Sequence, residues 1–278
     1  MNGNTRLSTA ALLAVTLAAC ATSPTGRRQL ALVSEDSAIA ASEEAYAMQI
    51  GELRKQGKIE PESSRVSRRV EGITERLVAQ AIEMRHETAD WDWSMEVIDD
   101  PEVVNAWCMA GGRMAVYTGL IQKLDPTDDE LAQVLAHEIS HALANHTAER
   151  MSVALATQAG VVLAGVLSDD AQKTMSRAAV AAALAVQLPN SRTAESEADE
   201  IGIELAAKAG YNPNAAVSLW QKMANAGGAG PPQFLSTHPS PANRQERLAE
   251  LAPQMMAYYE QARRNAPTRS VARAGRAN

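Results

Sequence analysis

The most constraining feature of the chain is the stretch VLAHEISHALANH at residues 134–146, which places two histidines four positions apart. On an α-helix, positions four apart lie one turn apart on one face, so His137 and His141 present their imidazoles together. A single zinc ion, with Zn–N distances of about 2.0–2.1 Å, can bind both. Glu138 is rotated by about 100° from His137, so it is poorly placed as a ligand. It can instead reach a water molecule at the metal, where a general base is needed.

A catalytic zinc site also needs a third protein ligand and one open position. His146 follows His141 by five residues and is turned away from the pair, so packing or hydrogen bonding is its expected role. We therefore expect a carboxylate from a separate helix, and the segment SRTAESEADEIG at residues 191–202 contains one at Glu195. Asp199 lies one turn further on the same face and can accept the free ring N–H of a ligand histidine. The alternative is an ordinary acidic helix start that the helix dipole stabilises.

The first nineteen residues have the layout of an export signal, with Arg6 followed by an apolar run that is too short for a convincing membrane span. The run ends in Leu17-Ala18-Ala19-Cys20, which resembles the lipobox of bacterial lipoproteins, where the signal is cut before an acylated cysteine. Ala21 stands where aspartate would retain a lipoprotein in the inner membrane. The resemblance therefore implies an outer-membrane lipoprotein that faces the periplasm and is held on the membrane by lipidated Cys20. The alternative is a soluble periplasmic protein with an incidental cysteine.

Composition narrows the class of protein further. The formal net charge of −7 argues against nucleic acid as a partner. Scarce aromatic residues and abundant alanine favour a mostly helical protein. If Cys20 carries lipid, Cys108 has no partner for an intramolecular disulfide, and its apolar neighbours favour a small buried residue over a metal ligand.

The predicted organisation has four parts. Residues 1–19 are the signal, residues 20–35 are a lipidated tether, and residues 36–262 form one domain with a substantial core. Residues 263–278 contain five arginines and no acid, which is typical of a disordered tail. Contact of this tail with anionic lipid head groups is the alternative.

Hydrophobic periodicity predicts an α+β fold that is mainly helical, with a small β-sheet beside the helix that carries both histidines. Three strands are predicted at residues 91–98, 103–109 and 113–121, and a Gly-Gly turn joins the last two as a hairpin. A capping box at Thr127–Glu130 starts a helix that we expect to reach at least Met151. Further helices are predicted at 34–58, 63–84, 152–167, 176–188, 193–209, from Asn212 onward, and at 242–262.

Together these motifs resemble a known family. HEISH followed by ESEAD, with SR just before and AGYNP after, is similar to the HtpX- and CAAX-prenyl-protease-like zinc metalloproteases of peptidase family M48. The segments SPTGRRQLALVS, NAWCMAGGRMAVYTGLI and THPSPANRQERL extend the resemblance to the bacterial lipoprotein subgroup and over nearly the whole mature chain. The resemblance implies a gluzincin-type fold, one zinc ion per chain, and endopeptidase activity on misfolded or unfolded proteins of the cell envelope.

The resemblance also implies roles for individual residues. By position, the zinc ligands are His137, His141 and Glu195, the base is Glu138, and Asp199 supports a ligand. His238 matches a family histidine that either stabilises the oxyanion or occupies the open position on zinc as a self-inhibiting plug. Arg244 matches an arginine that can bind a substrate carbonyl. Prenylated substrates, and docking on outer-membrane assembly machinery through helical repeats, are not expected.

Two other functions remain open from the sequence. A non-catalytic envelope lipoprotein, acting as a chaperone or assembly adaptor, would carry a structural or permanently plugged zinc ion. A structural site would normally have four protein ligands, often including cysteine. An exopeptidase would need a site that captures a substrate terminus, and the sequence contains no such motif. For the endopeptidase, we expect the substrate to lie as an added strand on an edge near Arg113–Thr118.

Overall fold

The computed structural model describes residues 20–166, 190–226, 233–239 and 243–264. The predicted signal, the predicted helix at 176–188 and the tail beyond Arg264 lie outside these residues. No helix of the described part combines the length and apolar character that crossing a bilayer requires. The chain divides into two compact units, one from residues 1–38 and 145–188 and the other from residues 39–144 and 189–278.

The mainly helical α+β class is confirmed. In chain order, the described elements are β1 (Cys20–Thr22), β2 (Arg28–Leu30), α1 (Glu35–Lys55), α2 (Arg65–Met84), a 3-10 helix (His86–Asp90), β3 (Ser94–Ile98), β4 (Ala106–Cys108), β5 (Arg113–Tyr117), α3 (Thr118–Leu124), α4 (Asp128–Leu143), α5 (His146–Val166), α6 (Arg192–Lys208), α7 (Ala215–Asn225), α8 (Gln233–Thr237) and α9 (Arg244–Arg264).

In the first unit, the segment predicted as a tether forms an antiparallel hairpin in which Cys20 of β1 lies opposite Leu30 of β2. The turn of this hairpin is linked to α5, because the guanidinium of Arg27 donates two hydrogen bonds to the carboxylate of Glu149 at 2.7 and 2.6 Å. The ion pair between Arg27 and Glu149 therefore attaches this hairpin to α5.

In the second unit, a three-stranded sheet has the order β3-β5-β4. The predicted hairpin of β4 and β5 is confirmed: the strands are antiparallel, and Gly111 and Gly112 between them both have φ of 84°, a conformation that suits glycine. β3 pairs with β5 in parallel. One hydrophobic core joins the sheet to the helices α2, α4, α6, α7 and α9.

The predicted substrate edge near Arg113–Thr118 is wrong, because β5 is the central strand and has neighbours on both sides. The outer side of β3 is already bonded, with Glu60 N–H donating to Val97 O and Asp99 N–H donating to Lys58 O. β4 is therefore the edge strand, and it packs against α4.

α4 begins as predicted and ends earlier. Thr127 accepts from Glu130 N–H and the Glu130 side chain accepts from Thr127 N–H, which completes the capping box. The helix does not continue to Met151, because Asn145 adopts φ of 55° and a new helix starts at His146. Asparagine is one of the few residues that tolerate this left-handed conformation at a helix end. From Glu130 to Leu143 every residue of α4 is buried, as in a helix that is surrounded by other elements.

α4 and α6 cross at very short range. A Cβ atom on Gly202 of α6 would lie 3.1 Å from both Cα and N of His137 on α4. Because these are backbone atoms of a buried helix, they cannot move aside as a flexible side chain could. The absence of a side chain at Gly202 therefore allows the two helices to approach closely enough to share a site.

We predict that Gly202→Ala lowers the free energy of unfolding by about 1–3 kcal/mol, because the added methyl group forces α4 and α6 apart. Gly72→Ala is the matched control, since Gly72 is also helical and no atom lies within 4 Å of a Cβ there. That substitution should stabilise the protein by about 0.4–1 kcal/mol. Urea unfolding followed by circular dichroism measures both changes, and equal effects of the two substitutions would contradict the close crossing.

Candidate metal centre

The two histidines of the HEISH motif meet as the helical spacing predicts. His137 Nε2 and His141 Nε2 lie 3.2 Å apart, and both residues are buried, with 3% and 5% of their surfaces exposed. Their rings are nearly perpendicular, with an interplanar angle of 84°. The two nitrogen lone pairs therefore converge on one point beside α4.

Glu195 on α6 reaches the same point. Ser191 caps this helix by accepting from Ala194 N–H, which fixes the register in which Glu195 faces α4. Its Oε2 lies 3.3 Å from His137 Nε2, and its Oε1 lies 3.4 Å from His141 Nε2. Glu195 is fully buried. The two distant segments that the sequence analysis paired are thus brought together.

His238, which follows α8, completes a group of four. Its Nδ1 lies 3.0 Å from Glu195 Oε1 and 3.4 Å from His137 Nε2. Among the described residues, these four side chains are the group whose ligand atoms could hold one metal ion, and those atoms lie within 4.8 Å of one another. The ring of His238 stacks on Phe234 with centroids 4.4 Å apart and an interplanar angle of 16°.

The four side chains suit zinc. Tetrahedral ligands at about 2.0–2.1 Å from zinc are separated from each other by roughly 3.3–3.4 Å. Five of the six residue pairs in the group bring a nitrogen or oxygen of each residue to 3.0–3.4 Å from the other, and all four ligand atoms lie within 4.8 Å of one another. Imidazole nitrogen and carboxylate oxygen are also ligands that zinc accepts. The residues present therefore fit a zinc ion by chemistry and by spacing.

Glu138 lies beside this group and does not belong to it. Its Oε1 is 3.5 Å from Nε2 of His238, so that histidine directs one nitrogen to the metal group and the other to Glu138. Burial raises the pKa of the Cys108 thiol on β4 well above its usual range, and the Glu138 carboxylate adds to this effect.

Asp199 lies beside the ring nitrogen of His137 that points away from the metal group. Its Oδ1 lies 3.1 Å from Nδ1 of His137, on the opposite side of the ring from the nitrogen that faces Glu195. With a metal ion bound, this arrangement would keep the remaining ring proton on Nδ1 and leave Nε2 of His137 as the metal-binding nitrogen. The supporting role of Asp199 stays a prediction.

Arg244, the first residue of α9, contacts two carboxylates of α6, those of Glu195 and Asp199. Its Nη2 donates to Glu195 Oε2 at 2.8 Å, and its Nε donates to Asp199 Oδ2 at 2.6 Å. Its Nη1 is buried and donates to no acceptor in the part of the chain that the structure describes. Binding of a substrate carbonyl by Arg244 stays a prediction, and Nη1 is the atom that it would use.

The charges of the site are coupled. Burial lowers the pKa of His137, but hydrogen bonds to Asp199 and Glu195 outweigh this effect and raise the pKa to about 9. Burial raises the pKa of Glu195, but its hydrogen bonds with His137 and His238 hold that pKa well below its usual range. A proton on His137 thus balances an ionised carboxylate in the metal-free site, and a divalent cation would compete with that proton.

Three residues of the site were not expected from the sequence. Asn190 is buried, and its Nδ2 lies 3.5 Å from both His141 Nε2 and His238 Nδ1. Trp220 and Phe234 flank His137, with ring centroids 5.8 and 6.1 Å from its ring. The only local signal was the place of Asn190, directly before the helix cap at Ser191. The aromatic contacts arise from tertiary packing alone.

The remaining candidate residues lie elsewhere. Cys108 is a buried free thiol on β4, and it is not among the four residues of the described group that could hold a metal ion. His146 is buried at the start of α5 in the first unit. Cys20 is the first residue of β1, and its acylation stays a prediction.

A comparison with known protein families matches the region of the chain that contains this site. The model of peptidase family M48 matches residues 64–252, which include every residue of the metal group.

Relatives with curated names cover parts of the chain. The mitochondrial metalloendopeptidase OMA1 of Arabidopsis thaliana is 39% identical over 159 residues, which are 57% of this chain and 31% of the relative. The protein of that name in Saccharomyces cerevisiae is 33% identical over 177 residues, covering 61% of this chain and 50% of the relative. The beta-barrel assembly-enhancing protease of Yersinia pestis is 33% identical over 162 residues, covering 55% of this chain and 33% of the relative. The chain thus spans about a third to a half of the length of these relatives.

Proposed function

Because the chain belongs to peptidase family M48, we propose that it is a zinc-dependent endopeptidase. One observation carries the proposal: four buried side chains converge at separations that suit zinc, and the carboxylate of Glu138 lies directly beside them. The relatives are named metalloendopeptidases or proteases, which supports the same chemistry.

Each part of the site has a task in peptide hydrolysis. Zinc held by His137, His141 and Glu195 would polarise the scissile carbonyl and lower the pKa of a water molecule towards about 7. Glu138 accepts the proton of the attacking water at Oε1 and passes it to the nitrogen of the leaving amine. Because Glu138 is 4% exposed, few water molecules compete with it for that proton. Nη1 of Arg244 remains as a donor for a substrate carbonyl.

The edge strand β4 is the surface on which an extended substrate would pair. The backbones of Asn105 and Met109 bond to β5. Because such bonds alternate along an antiparallel strand, Ala106 and Cys108 direct their backbone groups away from β5. Ala106 N–H donates to Asn105 Oδ1 at 3.0 Å, so a substrate strand would bond to the carbonyl of Ala106 and to the backbone of Cys108. A substrate strand added there would run close to Glu138, whose charge acts on Cys108. Pairing of this kind recognises the substrate backbone more than its side chains. Because it requires an extended segment, unfolded or misfolded proteins are the expected substrates.

The proposed setting is the bacterial cell envelope, with a role in protein quality control. Two features support it: the lipobox-like sequence that ends at Cys20, and similarity to bacterial relatives named beta-barrel assembly-enhancing protease. A lipid on Cys20 would hold the protein at the outer membrane, and β1 begins at that residue. The soluble periplasmic form remains the alternative.

A self-inhibited or non-catalytic envelope protein, acting as a chaperone or assembly adaptor, is the second candidate. The position of His238 favours it. Nδ1 of His238 lies in the metal group, and its Nε2 lies beside Glu138. The same side chain would therefore occupy the fourth position on zinc and also face the base Glu138. A peptidase with this arrangement rests in a closed state, and a protein that never releases His238 would not cleave at all.

We predict that Glu138→Gln lowers casein cleavage by about 10²–10⁴-fold, because the amide cannot accept the proton. Zinc content should stay at one ion per chain, since Glu138 is outside the metal group. Glu200→Gln, at an exposed acid on α6, is the control and should cleave like the parent protein. Full cleavage by the Glu138→Gln protein with zinc retained would refute the role of this residue.

We predict that His238→Ala raises casein cleavage several-fold, because the fourth position and Glu138 both become accessible. Zinc should be retained by His137, His141 and Glu195. Ser236→Ala, at an exposed neighbour on α8, is the control. A fall of about 10²–10³-fold would instead assign His238 to oxyanion stabilisation. Absence of cleavage in both the parent and the His238→Ala protein would favour the non-catalytic candidate.

A further inference from the structure

We propose that Arg244 is a positioning residue, which sets the geometry and affinity of the metal site by holding Glu195 and Asp199 with one guanidinium group. The inference rests on the proposed function, because it assumes that the site binds zinc. It concerns metal affinity, whereas the predicted role of Arg244 in substrate binding concerns catalysis. The two roles use different nitrogen atoms.

Arg244 fixes the carboxylate of Glu195. Nη2 of Arg244 donates to Oε2 at 2.8 Å, while Oε1 lies 3.0 Å from His238 and 3.4 Å from His141. A hydrogen bond between two charged groups at this distance is among the strong ones in proteins. It restricts rotation of the carboxylate about its terminal bond, so Oε1 stays directed at the imidazoles of His141 and His238 and Oε2 at that of His137.

Arg244 also acts on His137 through Asp199. Its Nε donates to Asp199 Oδ2 at 2.6 Å, and the other oxygen of Asp199 lies 3.1 Å from His137 Nδ1. The partner of the second ring nitrogen sets the orientation of a ligand histidine. A single guanidinium therefore controls the orientation of an imidazole ligand and of a carboxylate ligand.

Trp220 holds the guanidinium in place. The guanidinium carbon of Arg244 lies 3.8 Å from the centre of the Trp220 ring, and its side chain is only 1% exposed. A buried cation destabilises a protein unless it is paired. Here two carboxylates and an aromatic face provide the pairing, and the ring of Trp220 also contacts His137.

Arg247 provides an internal comparison. It lies one turn further along α9 and pairs with Glu200 on α6 at 3.1 Å, but both side chains are nearly half exposed. Both arginines thus link α9 to α6 through an ion pair, and Arg244 is the one whose carboxylate partner belongs to the metal group. If docking of α9 were all that mattered, the two would affect the metal site alike.

The test compares Arg244→Lys and Arg244→Ala with Arg247→Lys and Arg247→Ala in the purified full-length protein. Zinc affinity is measured by competition with a chromophoric chelator, and ligand geometry by the visible absorption spectrum of the Co²⁺-loaded protein. Thermal unfolding of the metal-free proteins reports any purely structural effect.

We expect Arg244→Lys to lower zinc affinity by about 10–100-fold, because an ammonium group lacks the planar fork that binds two carboxylates together. Arg244→Ala should lower it at least as much, and both should change the Co²⁺ spectrum. The Arg247 variants should stay within about twofold of the parent protein, as expected for an exposed ion pair.

Unchanged zinc affinity in Arg244→Lys would overturn the proposal, and so would an equal loss in Arg247→Lys. Lower thermal stability with unchanged zinc affinity would leave Arg244 a structural residue only, which also overturns it. If Arg244→Ala does not fold, Arg244→Lys decides alone, because it keeps the charge and most of the volume. A parent protein that binds zinc but cleaves no substrate would count against the proposed function and not against this inference.

Discussion

The close crossing of α4 and α6 is the contact on which the rest of the site depends. At Gly202 the two helices approach until a Cβ atom would lie 3.1 Å from the backbone of His137. Glu195, two turns earlier on α6, is thereby brought within 3.4 Å of His141. With a wider crossing, the imidazoles would stay on α4 and the carboxylate on α6, without a common point for a cation.

The crossing also concentrates buried charge. Glu195 and Asp199 are buried carboxylates, and each requires a positive or polar partner. Arg244 provides part of that compensation. In the absence of metal, a proton on His137 provides another part, because Asp199 and Glu195 raise the pKa of His137 to about 9. A divalent cation held by these residues would replace the proton and complete the balance. Metal affinity, orientation of the ligands and the position of α9 are therefore physically connected.

Much of the site could be predicted from the sequence because its ligands stand at fixed spacings on helices. Two imidazoles one turn apart and a carboxylate at a helix start follow from local geometry. His238 was expected only through family resemblance, because no local pattern distinguishes a loop histidine. The edge position of β4, the end of α4 at Asn145 and the contacts of Trp220 could not be predicted. They depend on strand order, on backbone conformation and on packing between residues far apart in the chain.

The central claim is that His137, His141 and Glu195 bind one zinc ion together. X-ray absorption at the zinc K edge of the purified protein tests it most directly. We predict one zinc ion per chain with only nitrogen and oxygen neighbours at about 2.0–2.1 Å, and loss of that signal in His141→Ala. A sulfur neighbour at about 2.3 Å, or an unchanged spectrum in His141→Ala, would contradict the account.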